Sequence, residues 1–340
     1  MKRSTNMMTE KPMTEFDIIR DYFAKHYLIT PARTRSDVLC GIGDDAALVR
    51  VPAQQQLAIT TDTFTAGVHF LESTPAYDIG YKALAVNLSD LAAMSATPAW
   101  ITLALAIPAT DTAWLEKMCD GFFALADRYQ VQLIGGDLTR GPLSITIQAL
   151  GFVPPQSALM RSTAKPGDLI YVTGTVGDAG FALQWLQEKM QMNVASDETY
   201  FLNRLQRPEP RVAVGEQLRN IAHAAIDISD GLLADLKHIL QASGVGAKVY
   251  VDQLPLSAAL TRNVDLNTAI NLALSAGDDY ELCFTVPVEK KILLEEKLNT
   301  LDCAYTCIGV MTETQELILQ YRDGRKYDEM GLEKEGYRHF

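Results

Sequence analysis

Residues 41–52 read GIGDDAALVRVP, and two folds compete for them. Gly41-x-Gly43-x-x-Ala46 matches a dinucleotide-binding turn, with Asp62 about where a ribose-binding acid would fall. That turn has to open a helix whose N-terminus receives a pyrophosphate. Here two adjacent carboxylates, Asp44 and Asp45, occupy the place, and ALVRVP reads as a strand ending at Pro52. The dinucleotide reading is rejected. Two like charges this close repel unless a cation lies between them or they face water, so the turn raises the question of what completes it.

Working outward, residues 15–23 predict a short amphipathic helix and 57–61 a strand that ends at Asp62. Residues 81–96 have helical periodicity, and Asp111 is placed to cap a helix reaching Tyr129. A short strand over 131–134 ends in Gly135-Gly136-Asp137, and another over 143–153 is closed by Pro154-Pro155. That proline pair is read as a boundary between a domain over 14–155, preceded by a tail over 1–13, and a second over 156–340. In the second, strands are expected at 169–174, 224–228, 247–252 and 280–286. Helices are expected at 177–190, 232–242 and 267–275, with an exposed loop at 191–199. The alternation of strands and helices predicts two α/β or α+β domains.

The formal net charge of −12 argues against sequence-independent nucleic-acid binding, which needs clustered Lys and Arg. The longest apolar stretch, Ala99 to Ile107, lies between Pro98 and Pro108 and is far short of a bilayer span. The N-terminus has no apolar segment of the signal-peptide kind. The five cysteines form no C-x-x-C pair, and buried free thiols in a reducing cytoplasm are the expectation.

Aspartate recurs where elements end: Asp62 after LAITT, Asp137 after VQLIGG, Asp227 and Asp230 in DISD, Asp278 and Asp279 after LALSAG. Any one of them reads as an ordinary turn or cap residue. Together with Asp90 and the hydroxyls of Thr60 and Thr61, they make a hard-oxygen donor set without His or Cys, which points to Mg²⁺ and a phosphoryl-handling site. No G-x-x-x-x-G-K-[ST] loop or H-R-D and D-F-G pair is present. Gly174-x-x-Gly177-x-x-Gly180 reads either as a packing turn or as a phosphate cradle at a helix start.

GIGDDAALV, TTDTFTAGVHF, KALAVNLSDLAAM, LIGGDLTRGPLSIT, AKPGDLIYVTG, AIDISDGLLADL and DDYELCF occur in that order. In this the chain resembles the thiamine-monophosphate kinases, within the superfamily of aminoimidazole ribonucleotide synthetase and selenophosphate synthetase. The resemblance implies a two-domain synthetase-like fold, an N-terminal domain that pairs across a homodimer, and a C-terminal α/β domain. It implies transfer of the γ-phosphoryl of ATP to thiamine monophosphate with several Mg²⁺ ions. Carried over by motif, Asp45, Thr60, Thr61, Asp62, Asp90, Asp137, Asp227 and Asp230 match metal ligands, and Asp44 is read as orienting the glycine turn. Gly136, Asp137, Arg161 and Ser229 match positions around the nucleotide. Asp45, Asp62, Asp137 and Arg161 would carry the catalysis.

His69 matches a substrate contact, with a packing histidine as the alternative. Two departures stand out: Asp278 where the family often has Glu, and Lys334 where it tends to offer an aromatic residue, with Tyr337 and Phe340 close by. Two rival readings remain at this stage. One is a sister ATP-dependent enzyme acting on another small substrate; the other is a metal-nucleotide binding protein without turnover.

Overall fold

The computed structural model describes residues 13–29 and 33–328. The first half opens with three helical pieces, α1 (Glu15–Ile18), a π-helical segment (Ile19–Ala24) and α2 (Lys25–Ile29). A small hairpin follows, β1 (Val38–Cys40) and β2 (Leu48–Val49). Then come β3 (Gln56–Thr65), α3 (Ala76–Ala93), β4 (Thr97–Ile107), α4 (Thr112–Arg128), β5 (Gln132–Arg140) and β6 (Ser144–Val153). These four strands form one sheet in the order β3-β6-β4-β5, antiparallel except between β4 and β5.

Side chains alternate across a strand, and the two faces of this sheet differ. Phe64, Ile145, Ile147, Leu103, Leu105 and Leu138 are buried in the core shared with α3 and α4. Those two helices approach until a Cβ on Gly80 would stand 2.0 Å from the Met118 carbonyl oxygen, and one on Gly121 1.9 Å from that of Tyr77. On the other face Ile59, Thr61, Thr63, Gln148, Ala104 and Asp137 are exposed. The hairpin covers part of it, with Val38, Ala47 and Val49 against Trp100 and Phe152.

The second half holds β7 (Leu169–Thr173), α5 (Asp178–Leu186), α6 (Glu198–Gln206), α7 (Val212–Gln217), β8 (Ala224–Asp227) and α8 (Leu232–Ser243). It continues with β9 (Gly246–Tyr250), α9 (Ala258–Asn263), α10 (Leu266–Ser275) and β10 (Leu282–Val286). α11 (Lys291–Leu298), β11 (Tyr305–Thr312) and β12 (Leu317–Gln320) complete it. The sheet order is β12-β9-β11-β7-β10-β8, antiparallel except for β12 with β9. One apolar core runs from α3 and α4 across to Tyr171, Val212, Ala225 and Phe284, so the halves pack continuously.

The mixed α/β architecture agrees with the expectation, and Asp111 caps α4 by accepting the Trp114 N–H at 3.0 Å. Two strand ends do not. β3 continues through Asp62 and β5 through Asp137, because each residue there has a ladder partner: Asp62 opposite Ile147, Asp137 opposite Ala104. The segment expected as an exposed loop at 191–199 contains a 3₁₀ turn, Ala195–Asp197. Its Asp197 is buried and held by Arg262 and Asn263.

Candidate active site

α3 is the wall on which the site is built. Asp78, Lys82, Val86 and Asp90 recur every fourth residue, so they share one helical face. All four line a cleft of about 710 Å³ between the two halves of the chain. Asp62 and His69 line it from the first half; Asp227, Ser229, Asp230, Asp278 and Tyr280 line it from the second. Ser89 joins the walls by donating its hydroxyl to Asp227 Oδ2 at 2.8 Å.

The cleft is charged on the side of the carboxylates. Burial, then the neighbouring Asp90, pushes Asp62 up to about 7. Burial also raises Asp90, although Thr60 donates its hydroxyl to Asp90 Oδ2 and Arg161 lies near enough to oppose the shift. Asp227, fully enclosed, is raised well above the ordinary range by burial and then by Asp90, with Ser89 and Arg161 pulling the other way. Three carboxylates that disfavour one another's charge make a place where a cation is stabilised. Among the described residues, no three His, Cys, Asp or Glu side chains are close enough together to hold a metal ion by themselves.

Not every residue carried over by motif reaches this cleft. Thr60 and Asp62 lie on the helix-covered face of β3, whereas Thr61, one residue between them, lies on the open face near Gln148 (3.5 Å to its Nε2). Asp137 lies on the open face too, in the row of Thr63, Thr146 and Ala104. Gly136 has φ 154°, and a Cβ there would stand 1.9 Å from the Leu103 carbonyl oxygen, so only glycine lets β5 approach β4 at this point. Asp45 sits exposed on the hairpin turn and donates its N–H to Asp44 Oδ1 at 2.9 Å, as expected if Asp44 shapes the turn. Arg161 is exposed near Asp90 and Asp227. His69 accepts the Thr65 N–H at 3.0 Å on Nδ1 and stacks on Phe64 while lining the cleft. Lys334, Tyr337 and Phe340 lie outside the described residues.

The glycine run 174–180 is a packing turn. Gly177 opens α5 at φ 90°, and its N–H is already given to Asp279 Oδ2 at 2.8 Å. A Cβ on Gly180 would stand 2.1 Å from that of Ala276.

Residues 43–153 match the AIR synthase related protein, N-terminal domain, and residues 165–322 its C-terminal domain. A curated thiamine-monophosphate kinase from Salmonella typhimurium (strain LT2) is 51% identical over 326 residues, covering 96% of this chain and 98% of the relative. The chain belongs to the thiamine-monophosphate kinase family. Its relative in Bacillus subtilis (strain 168) is 38% identical over 96% of this chain and the whole of its own length. The crystal structure of thiamine-monophosphate kinase from Stenotrophomonas maltophilia K279a is 48% identical, with a TM-score of 0.82 over 90% of this chain and 98% of that one. A structure described as "AaThiL complexed with AMPPCP and TMP" is 30% identical, with a TM-score of 0.73 over 96% and 97%.

Beside the residues that mark the family, the structure brings in others that the sequence reading passed over. Asp235 accepts the N–H groups of Ser229, Asp230 and Gly231 at 3.0, 3.1 and 3.1 Å and so fixes the turn that presents Ser229. Lys82 pairs with Asp278 at 2.8 Å, and the Tyr280 hydroxyl donates to Asp278 Oδ1 at 3.2 Å. Buried Glu281 takes both prongs of Arg211 at 2.6 Å and the Thr173 hydroxyl at 2.6 Å. A capping signal, D-G-x-x-x-D, was there to be read for Asp235; Lys82 and Glu281 had no local signal.

Proposed function

We propose that this chain transfers the γ-phosphoryl group of ATP to thiamine monophosphate, giving thiamine diphosphate and ADP. The observation that carries this is the convergence of Asp62, Asp90 and Asp227, from both halves of the chain, on one cleft that also offers a lysine and hydroxyls. Membership of the family and the likeness to a relative solved with AMPPCP and TMP support it. The acceptor is a phosphate monoester whose second pKa is about 6, so it arrives largely ionised and needs no general base. Direct in-line transfer asks the protein for positioning and charge neutralisation and for no nucleophile of its own.

Mg²⁺ fits the donor set, since carboxylates and hydroxyls are hard oxygen ligands and Mg²⁺ commonly takes one or two carboxylates, filling its shell with water and phosphate. Thr60, Asp62, Asp90, Asp227 and Asp230 would hold it on the cleft side, with Asp45, Thr61 and Asp137 from the open face. When bound, it neutralises the charge of the phosphates it meets. Arg161 adds a fixed positive charge beside Asp90 and Asp227, while Gly136 and Ser229 leave room for and line the nucleotide. His69 and Asp278 contact the acceptor.

We infer a homodimer whose open sheet faces meet. Asp62 and Asp137 lie on opposite faces of one sheet, so a single copy does not bring them together. A second copy over the open face would set its own Asp45, Thr61 and Asp137 beside those of the first, and it would cover Leu39, Leu48 and Ile59, each more than half exposed. The domains are read as 14–155 and 156–340; the first sheet ends at Val153 and the second begins at Leu169. Free thiols at all five cysteines support a reducing, cytoplasmic setting. γ-Labelled ATP tests the transfer: the label should appear in thiamine diphosphate and never on the protein. Labelled protein or free phosphate alone would contradict it.

A further inference from the structure

Lys82 and Asp278 form an ion pair at 2.8 Å inside the cleft, one from α3 and the other from the turn before β10. The lysine side chain is 6% exposed and the aspartate 28%, so the pair opens towards the cleft on the carboxylate side. Lys189, also lining the cleft, is exposed at its rim. On the same face of α3, Asp78 is held by Arg207 and Asp90 by Thr60. The Lys82 ammonium lies 5.8 Å from the centre of the Tyr280 ring.

This pair is not needed to fasten the turn. Asp279 already takes the Gly177 N–H, and Glu281 is gripped by Arg211 and Thr173. Aiming Asp278 at the cleft instead demands unusual backbone: Asp278 and Tyr280 have φ of 69° and 50°, a region that non-glycine residues seldom enter and that clusters at functional sites. From Lys82 to Asp90 is eight residues, about 12 Å along the helix axis. A ligand lying along α3 could meet the pair at one end and the carboxylate cluster at the other.

We propose that Lys82 selects the phosphorylated acceptor by exchanging partners. In this account, which rests on the function proposed above, Asp278 turns to the ligand's cationic ring and Lys82 turns to its phosphate. The flexible four-carbon stem of lysine allows the ammonium to swing towards Asp90. An acceptor with the same ring but a hydroxyl in place of the phosphate would draw Asp278 away and leave a buried ammonium unpaired, which is costly. The cleft thereby discriminates against unphosphorylated thiamine.

Calorimetric titration of thiamine monophosphate and of thiamine into wild type, Lys82→Gln, Lys82→Arg and Asp278→Asn tests this. Lys82→Gln should weaken the monophosphate about tenfold or more, while thiamine binds as before or more tightly because no ammonium is left unpaired. The preference should therefore collapse, return in Lys82→Arg, and leave the affinity for a non-hydrolysable ATP analogue unchanged. Equal losses for the two ligands, or an unchanged preference, would overturn the proposal. Asp278→Asn supplies an independent arm if Lys82→Gln does not fold. It should weaken both ligands by a similar factor and keep the preference for the monophosphate, and a collapsed preference would contradict the exchange. Wild type that binds the ATP analogue but neither acceptor would overturn the proposed function itself, and this inference with it.

Discussion

Asp62 and Asp137 are both half-turned away from ordinary stabilising work. Asp62 stands near Asp90 in a partly buried position that raises its proton affinity to about 7, and Asp137 projects from the open sheet face. Among the described residues, neither has an ion-pair partner whose loss would unfold the chain. Asp62→Asn and Asp137→Asn should therefore each lower turnover by a hundredfold or more, roughly the effect of removing one electrostatic stabiliser of a transition state, with thermal unfolding unchanged or slightly raised. Steady-state kinetics beside circular dichroism melts would check both halves of the statement; unfolding of both variants would make these residues structural. Gly136→Ala is the opposite case. Its Cβ would collide with the Leu103 backbone, so it should destabilise the fold by about 1–3 kcal/mol, measured by urea titration, before any effect on chemistry is read.

At the scale of elements, the turn over 278–281 separates two jobs in carboxylates three residues apart. Asp278 faces the cleft, while Glu281 is enclosed and charged. Burial alone would raise the Glu281 pKa, but the Arg211 fork, with Arg204 behind it, holds it below the ordinary carboxylate range. A folded pKa below the unfolded one means stability that is present above the unfolded value and is lost as pH falls through the folded one. Glu281→Gln should cost roughly 3–5 kcal/mol near neutral pH, as when a buried pair is broken, and its unfolding should depend less steeply on pH below about 4.5. Denaturant melts from pH 7 downward would show this; parallel profiles for the two proteins would contradict it.

The same scale explains what could be read from the sequence. α4 was legible to the residue because Asp111 caps it and its apolar positions repeat. The ends of β3 and β5 were not, since TTDTFT and GGDLTR have the polarity of loops; a sheet face left open tolerates polar residues in mid-strand. α6 and α7 escaped because their surroundings are polar and proline-rich, and their burial depends on contacts with α3. The acidic set was legible as a list but not as an arrangement, because sequence alone did not place the two carboxylates on opposite faces. Lys82 was hidden inside an apolar helix whose stripe looked like core.

For the whole molecule, the dimer proposed above is the reading of an open sheet face that carries Thr61 and Asp137. Sedimentation should find two copies, and Ile59→Asp should shift the population to monomer with loss of turnover. Among the described residues no helix is long and apolar enough to cross a membrane. The most direct measurement remains the reaction itself: the protein with ATP, Mg²⁺ and thiamine monophosphate, thiamine as a parallel acceptor, products separated by chromatography. Equal amounts of thiamine diphosphate and ADP from the monophosphate, none from thiamine, and abolition by EDTA are predicted. ATP binding with no thiamine diphosphate formed would contradict the account.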